Sequence, residues 1–385
     1  TCFYSTMNEK IRFNRHFYIL IFYKMSSTFV FSTISGGYFV SQTAILASVL
    51  SATSQIDAYF GNSGGAIANL IALKWSGTSE SMERVLYSID KDMFVKPWVS
   101  DNMPLSKVLS PIVSLFTSSF YKDSKGPKEI MEVFYTKEEL RKAEMWIGKF
   151  DINANFNHLL CSKQSGQSIF NTQLSQTYNT KYLEDMTGSF NVEYANGNID
   201  TLSQTLNATS AIPGYKPPID INGTPFVDGG VSSPSPGSAF SNILLEYGEA
   251  KITGDANHKF KIFYNIGPKF IDTDIEYVKP SSHWSSQIFR TLKSLLNFSI
   301  SRERQLLFNT WLKMSNVSHY DNSVIYKKVT GKDALKTYLD SLTGHYFVTC
   351  YSVDESINVL NFNKEDLKRV YKKCYDNVFF EIYSV

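Results

Sequence analysis

The sequence predicts an α/β fold, with three α/β/α layers around a mostly parallel central sheet and a helical C-terminal region. Three observations carry this. The run Thr28 to Ile34 is rich in β-branched and aromatic residues, reads as a strand, and stops at Ser35-Gly36-Gly37. Apolar residues at helical spacing follow from Ser41 to Ala52. A second strand-like run, Ile56 to Phe60, ends in another glycine turn and is again followed by helical spacing, from Ala66 onward. Two strands joined by a crossover helix form a βαβ unit, and such units build parallel sheets with helices on the faces.

Size and composition agree. The chain has 385 residues, 43% of them hydrophobic and 19% charged, which describes a globular protein able to bury a large core. A net charge of +2 gives no case for nucleic-acid binding. Cys2, Cys161, Cys350 and Cys374 match no zinc spacing, so a reducing, cytoplasmic setting is expected. The apolar run Phe17 to Tyr23 is far shorter than the roughly 20 residues of a spanning helix. Residues 1–24 read as an N-terminal extension outside the fold, because Met25 is followed at once by the first strand.

Past the second glycine turn, the prolines at 97, 104, 111 and 127 break up a polar stretch. We expect a helical insertion near residues 76–145, with helices at Ser81 to Ile89 and Lys137 to Met145. Trp146 to Asn155 and His158 to Ser162 read as a strand pair, and Asp200 to Asn207 as a short helix. Phe226-Val227 ends a strand at Asp228-Gly229-Gly230, and Lys259 to Ile266 is a further strand. This completes a main domain over residues 25–280. Residues 281–385 are expected to be helical and to pack on the same domain. Ser285 to Met314 has apolar residues at helical spacing, and its charges are Arg290, Lys293, Arg302, Arg304 and Lys313 against a single acid, Glu303. A basic amphipathic helix suits contact with an anionic membrane surface, and it suits core packing with a solvated basic face even better. Asn363 and Asp366 have capping-box spacing for a last helix.

Three strand ends could carry chemistry. Gly61, Ser63 and Gly65 form the G-x-S-x-G pattern of a nucleophile elbow, where a Cβ two residues either side of the serine would clash. Gly36 and Gly37 can offer backbone N–H groups to an oxyanion, with Gly64 adding a third. Asp228, ahead of Gly229 and Gly230, can serve as base if burial raises its basicity. In open parallel sheets, sites gather beyond the carboxyl ends of the strands, where all three are expected. The order Ser63, Asp228, then His258, His319 or His345 would also suit a histidine triad.

Taken together, the pieces resemble the patatin-like phospholipase family. The glycine turn at Ser35 to Gly37, the elbow at Gly61 to Gly65, the small-residue segment Ala208 to Tyr215 and the box Phe226 to Val231 fall in that family's order, over roughly Thr28 to Ile266. The resemblance implies a patatin-like fold and a lipid acyl hydrolase that uses a Ser63–Asp228 dyad. It implies a lipid or phospholipid substrate, with peripheral membrane contact open, and no metal or cofactor. One piece departs from the pattern: in the family's first turn, Ser35 stands at the first glycine, Phe39 at the cation and Val40 at the last glycine. Lys216 is the conceivable substitute for the cation.

Overall fold

The computed structural model describes residues 26–53, 55–90, 96–97, 121–122, 126–179, 190–213, 216–268, 284–317, 323–357 and 362–385. In chain order the first strands are β1 (Ser26–Ser32), β2 (Ala58–Gly61), the two-residue β3 (Lys96–Pro97) and β4 (Tyr121–Lys122), β5 (Met145–Asp151), β6 (Phe156–Cys161) and β7 (Phe190–Tyr194). The rest are β8 (Ile219–Ile221), β9 (Thr224–Asp228), β10 (Lys259–Pro268), β11 (Ile325–Thr330), β12 (Tyr346–Ser352) and β13 (Val378–Ser384). The helices are α1 (Phe39–Ala52), α2 (Ser63–Ala72), α3 (Glu80–Leu86), α4 (Gly126–Phe134), α5 (Lys137–Lys142), α6 (Asn171–Asn179), α7 (Ile199–Thr209), α8 (Gly237–Gly254), α9 (Trp284–Met314), α10 (Lys332–Ser341) and α11 (Lys364–Asp376).

One large sheet runs in the order β11-β13-β12-β10-β1-β2-β5-β6-β7. Its middle, β12-β10-β1-β2-β5, is parallel throughout, as the βαβ pattern predicts. The additions at the margins are mostly antiparallel: β13 and β11 on one side, β6 on the other, and the hairpin β8–β9 on β5.

Alternation along the strands divides the interior into two cores. Val30, Tyr59, Met145, Ile147, Phe263 and Val348 face one side, against apolar residues of α1, α2, α7, α10 and α11. Phe29, Phe31, Phe60, Trp146, Phe260, Ile262 and Phe347 face the other, against α6, α8 and α9. The second core is unusually aromatic. Phe60 stacks on Phe31 with centroids 4.4 Å apart and lies 4.8 Å from Phe240. This confirms the three-layer α/β/α architecture.

Two differences from the expected elements have physical causes. The C-terminal region carries the expected helices, but it also adds β11, β12 and β13 to the same sheet. All seven residues of β12 are buried, because this strand is covered on both faces. Helix α1 begins at Phe39 rather than Ser41, since Phe39 and Val40 are themselves core residues. The Asn363 capping box forms as expected, with Asn363 accepting from the amides of Glu365 and Asp366 while Asp366 accepts from the Asn363 amide. Within the insertion, residues 91–95, 98–120 and 123–125 lie outside the described residues, as do residues 1–25. The described helices α3 and α4 pack as ordinary layer helices, burying Met82, Val85, Leu86, Ile130 and Met131 in the first core. No helix among the described residues is long and apolar enough to cross a membrane.

Phe60 joins the two central strands to the helix layer through ring contacts. Phe60→Ala should lower stability by about 3–5 kcal/mol, read as a fall in the denaturant midpoint at unchanged slope.

Candidate active site

Strand β5 builds the site. One of its edges is taken entirely by β6. The other is shared end to end: β2 pairs with Met145 to Ile147, and β9, entering from the opposite direction, pairs with Lys149 to Asp151. The two strands meet at Gly148. On one side, β2 ends at Gly61 and turns into the elbow. On the other, β9 ends at Asp228 and turns into Gly229-Gly230. Asp228 therefore does not follow a parallel strand, as the expected layout had it. It follows the antiparallel hairpin strand β9, which can pair there because β5 outruns β2 by four residues.

The junction has little space. A Cβ on Gly229 would come within 2.5 Å of the Gly148 carbonyl oxygen. Asn62, the residue before the serine, bridges the gap. Its Oδ1 accepts from the Gly148 amide at 3.1 Å and its Nδ2 donates to the Ser233 carbonyl at 2.8 Å.

Ser63 opens α2 with φ at +51°, a conformation that L residues adopt at a cost of about 1–2 kcal/mol. The elbow glycines behave as their spacing predicts. A Cβ on Gly65 would meet the Ser32 carbonyl oxygen at 2.4 Å, and one on Gly61 would meet the Ala66 amide nitrogen at 2.8 Å. The segment Ala208 to Pro213 supports both halves of the site, a role its composition alone did not reveal. The Thr209 hydroxyl accepts from the Ser63 amide at 2.9 Å, and the Ala211 carbonyl accepts from the Asp228 amide at 3.1 Å.

Ser63 and Asp228 are both buried. Oδ1 of Asp228 accepts from the Gly230 amide at 2.8 Å, while Oδ2 has no hydrogen-bond partner of acceptable geometry among the described residues. Burial pushes the Asp228 carboxyl up to about 7, opposed by the Gly230 amide, the Ser63 hydroxyl and the Lys216 charge. The hydroxyl is thus near enough to act on the carboxyl without completing a well-formed hydrogen bond. Such contacts commonly tighten only when substrate binds.

Gly36 and Gly37 form a single 3₁₀ turn, with Gly36 at φ +50°. The turn packs directly on the elbow: a Cβ on Gly64 would come within 3.1 Å of the Gly36 nitrogen. Among the described residues, no acceptor engages the amides of Gly36, Gly37 or Gly64. A buried polar network holds the turn from behind. Ser35 donates to Gln42 Oε1 at 2.7 Å, Gln42 donates to the Thr33 carbonyl at 2.9 Å, and Ser32 donates to Asn69 of α2 at 2.7 Å.

The family's missing cation is not rebuilt at its own position. Phe39 is buried in the first core at the start of α1. Lys216 is buried as well. Its Nζ lies 3.3 Å from Asn207 Oδ1 and 3.4 Å from the Asn207 carbonyl, and its charge favours the ionised form of Asp228.

The three described histidines have other partners. His258 bonds Ser27 at 2.9 Å, and His345 accepts from the Phe260 amide at 3.1 Å. Both lie at the amino ends of parallel strands, the end of the sheet opposite the elbow. His158 pairs with Glu193 at 2.9 Å. His16, His283 and His319 lie outside the described residues.

Fold and site together define an α/β protein in which a serine turn, a glycine turn and a buried aspartate gather around one edge of the central sheet. The chain belongs to the patatin-like phospholipase family, whose model matches residues 34–240, just over half of its length. At the level of the family this supports a lipid ester hydrolase. Among solved structures, VipD from Legionella pneumophila is similar over 92% of this chain and 66% of that one, at 9% identity and a TM-score of 0.32. No curated protein matches the chain.

Because Phe39 is a core residue, restoring the family's cation there should not restore a cationic site. Phe39→Arg is expected to cost roughly 3 kcal/mol or more, seen as a lower thermal midpoint with no gain in affinity for an anionic lipid.

Proposed function

We propose that the protein hydrolyses ester-linked fatty acids of lipids, as a phospholipase A-type acyl hydrolase, through a Ser63–Asp228 dyad. The observation that carries this reading is the meeting of β2 and β9 on one edge of β5. That meeting brings a strained serine beside a buried carboxyl whose pKa is pushed up to about 7, next to three amides that no acceptor among the described residues engages.

The steps follow from that placement. Ser63 Oγ attacks the ester carbonyl carbon while Asp228 takes its proton. The amides of Gly36, Gly37 and Gly64 stabilise the negative oxygen of the tetrahedral intermediate, which they can do without rearranging. The intermediate collapses, the C–O bond to the alcohol breaks, and Asp228 returns the proton to the leaving oxygen. Asp228 then deprotonates a water that attacks the acyl-Ser63 ester, releasing the fatty acid and regenerating the serine. An aspartate of ordinary acidity is a poor base for this work. The desolvated one is ionised over the upper part of the neutral range and still basic enough to accept the proton.

The surface of α9 supports a lipid substrate. Leu295, Phe298 and Leu306 are exposed along a stripe that also carries the exposed Arg302, a pattern suited to an anionic lipid surface. The histidine-triad reading finds no support in the placement of His258 and His345.

A fluorophosphonate should label Ser63 in wild type and not in Ser63→Ala. Phospholipid turnover should fall at least roughly 1000-fold in both Ser63→Ala and Asp228→Asn. Turnover kept in Asp228→Asn would sink the dyad.

A pH prediction follows separately. The base works ionised, so kcat/KM should rise with pH along a limb of apparent pKa about 7. Stability runs the other way. The folded pKa lies above the ordinary value of 3.8, so the carboxyl increasingly destabilises the fold from that pH up to about 7, and by a constant amount above it. Asp228→Asn should therefore melt higher than wild type at pH 8, and the gap should close toward pH 4.

A further inference from the structure

Glu303 is the single acid in the basic helix α9, and it is buried with no part in the proposed chemistry. Its hydrogen bonds among the described residues go to the segment Ser233 to Gly237, which follows the Asp228 turn. Oε2 accepts from the Ser235 amide at 2.9 Å and lies 3.0 Å from Ser233 Oγ, while Oε1 accepts from the Ser235 hydroxyl. The fit is close enough that a Cβ on Gly237 would come within 2.6 Å of Oε1.

The same three residues, Ser233-Pro234-Ser235, also reach the two other loops of the site. The Ser233 carbonyl accepts from Asn62 of the elbow at 2.8 Å. The Pro234 carbonyl accepts from the amide of Ile34, two residues before the Gly36 turn, at 2.6 Å. The elbow, the glycine turn and the aspartate turn thus converge on one tripeptide, and that tripeptide is anchored to α9 by one carboxyl.

We infer that Glu303 is a positioning residue: by fixing Ser233-Pro234-Ser235 it sets the distance between the Gly36–Gly37 amides and Ser63. The inference rests on the hydrolase reading for its kinetic consequences, though not for its structural ones. Without the anchor, the tripeptide is free to drift and both carbonyl contacts loosen together. Displacement of an oxyanion donor by about 1 Å costs roughly 100-fold in rate. Ground-state binding of a small ester barely depends on that distance, so the loss should fall on kcat.

The test combines kinetics with amide exchange. Glu303→Met fills the same volume without a buried charge, and Glu303→Gln keeps the hydrogen-bonding shape. With a short-chain soluble ester, Glu303→Met should lower kcat at least about tenfold with KM within about threefold, and Glu303→Gln should stay within about threefold of wild type. Hydrogen exchange at the Ile34 amide should speed up in Glu303→Met and stay slow in Glu303→Gln. Ser235→Ala should lower kcat too, and the double variant Glu303→Met/Ser235→Ala should be no worse than Glu303→Met alone.

Three results would overturn the inference: a lower melting temperature in Glu303→Met with kcat unchanged, unchanged exchange at Ile34, or additive losses in the double variant. A wild type that neither turns over an ester nor takes label at Ser63 would overturn the hydrolase reading instead. Exchange at Ile34 would then still decide whether Glu303 positions the turn. If Glu303→Met does not fold, Ser235→Ala and Glu303→Gln decide by the same two readouts.

Discussion

Everything at the site depends on one edge of β5 having room for two strands. β5 is longer than β2 by enough residues for a second strand to pair above it, and the only space left between them is a backbone with no side chain, at Gly148. The serine and the aspartate are brought together by main-chain pairing rather than by attraction between their side chains. This explains why a charged group sits next to a hydroxyl deep in the protein although their own contact is incomplete. The register of β9 sets Asp228 opposite Lys149, its amide donates to the Ala211 carbonyl, and its Oδ1 accepts from the Gly230 amide. Side-chain bonds from Asn62, Thr209 and Gln42 then fix the loops to one another.

The arrangement is costly to the fold. A serine in a left-handed conformation and a carboxyl stripped of water are features that stability alone would remove. The surrounding interior offsets them. Two apolar cores clamp the sheet from both faces, and the second concentrates Phe31, Phe60, Trp146, Phe170 and Phe240 directly behind the elbow strand. The hydrogen-bonded network of Ser32, Gln42, Asn69 and Asn265 ties β1, β10 and the two helices α1 and α2 together beneath the glycine turn. Satisfied networks of this kind rigidify a loop more than isolated bonds do.

Local chemistry was legible in the sequence, and long-range pairing was not. Ser63 and its glycines stood out because strand, turn and helix are consecutive, and the turn demands particular residues. Gly36, Gly37 and Asp228 followed from the same logic. What Asp228 is paired to could not be read, because the choice of partner for β9 rests on the relative lengths of β5 and β2. The strands of the C-terminal region were legible in principle. Tyr346 to Ser352 and Val378 to Ser384 are dense in aromatic and β-branched residues, but the strong helical spacing before and between them dominated the reading. The contact of Thr209 with the Ser63 amide spans 146 positions of sequence, and local composition carries no sign of it. Glu303 carried a signal in its isolation, a lone acid on a basic helix, which marks a side chain that faces inward.

The position of β1 has a consequence for how the protein forms. The strand that leads into the oxyanion turn lies between β2, which follows it closely, and β10, more than 200 positions further along the chain. Contacts that span so much sequence form late, since a long loop must close before they yield any stabilisation. A ribosome-bound chain that has emerged only as far as Asp228 holds every residue of the proposed chemistry but still lacks the second neighbour of β1. On the proposed reading, competence would arrive with β10 rather than with Ser63 and Asp228 themselves.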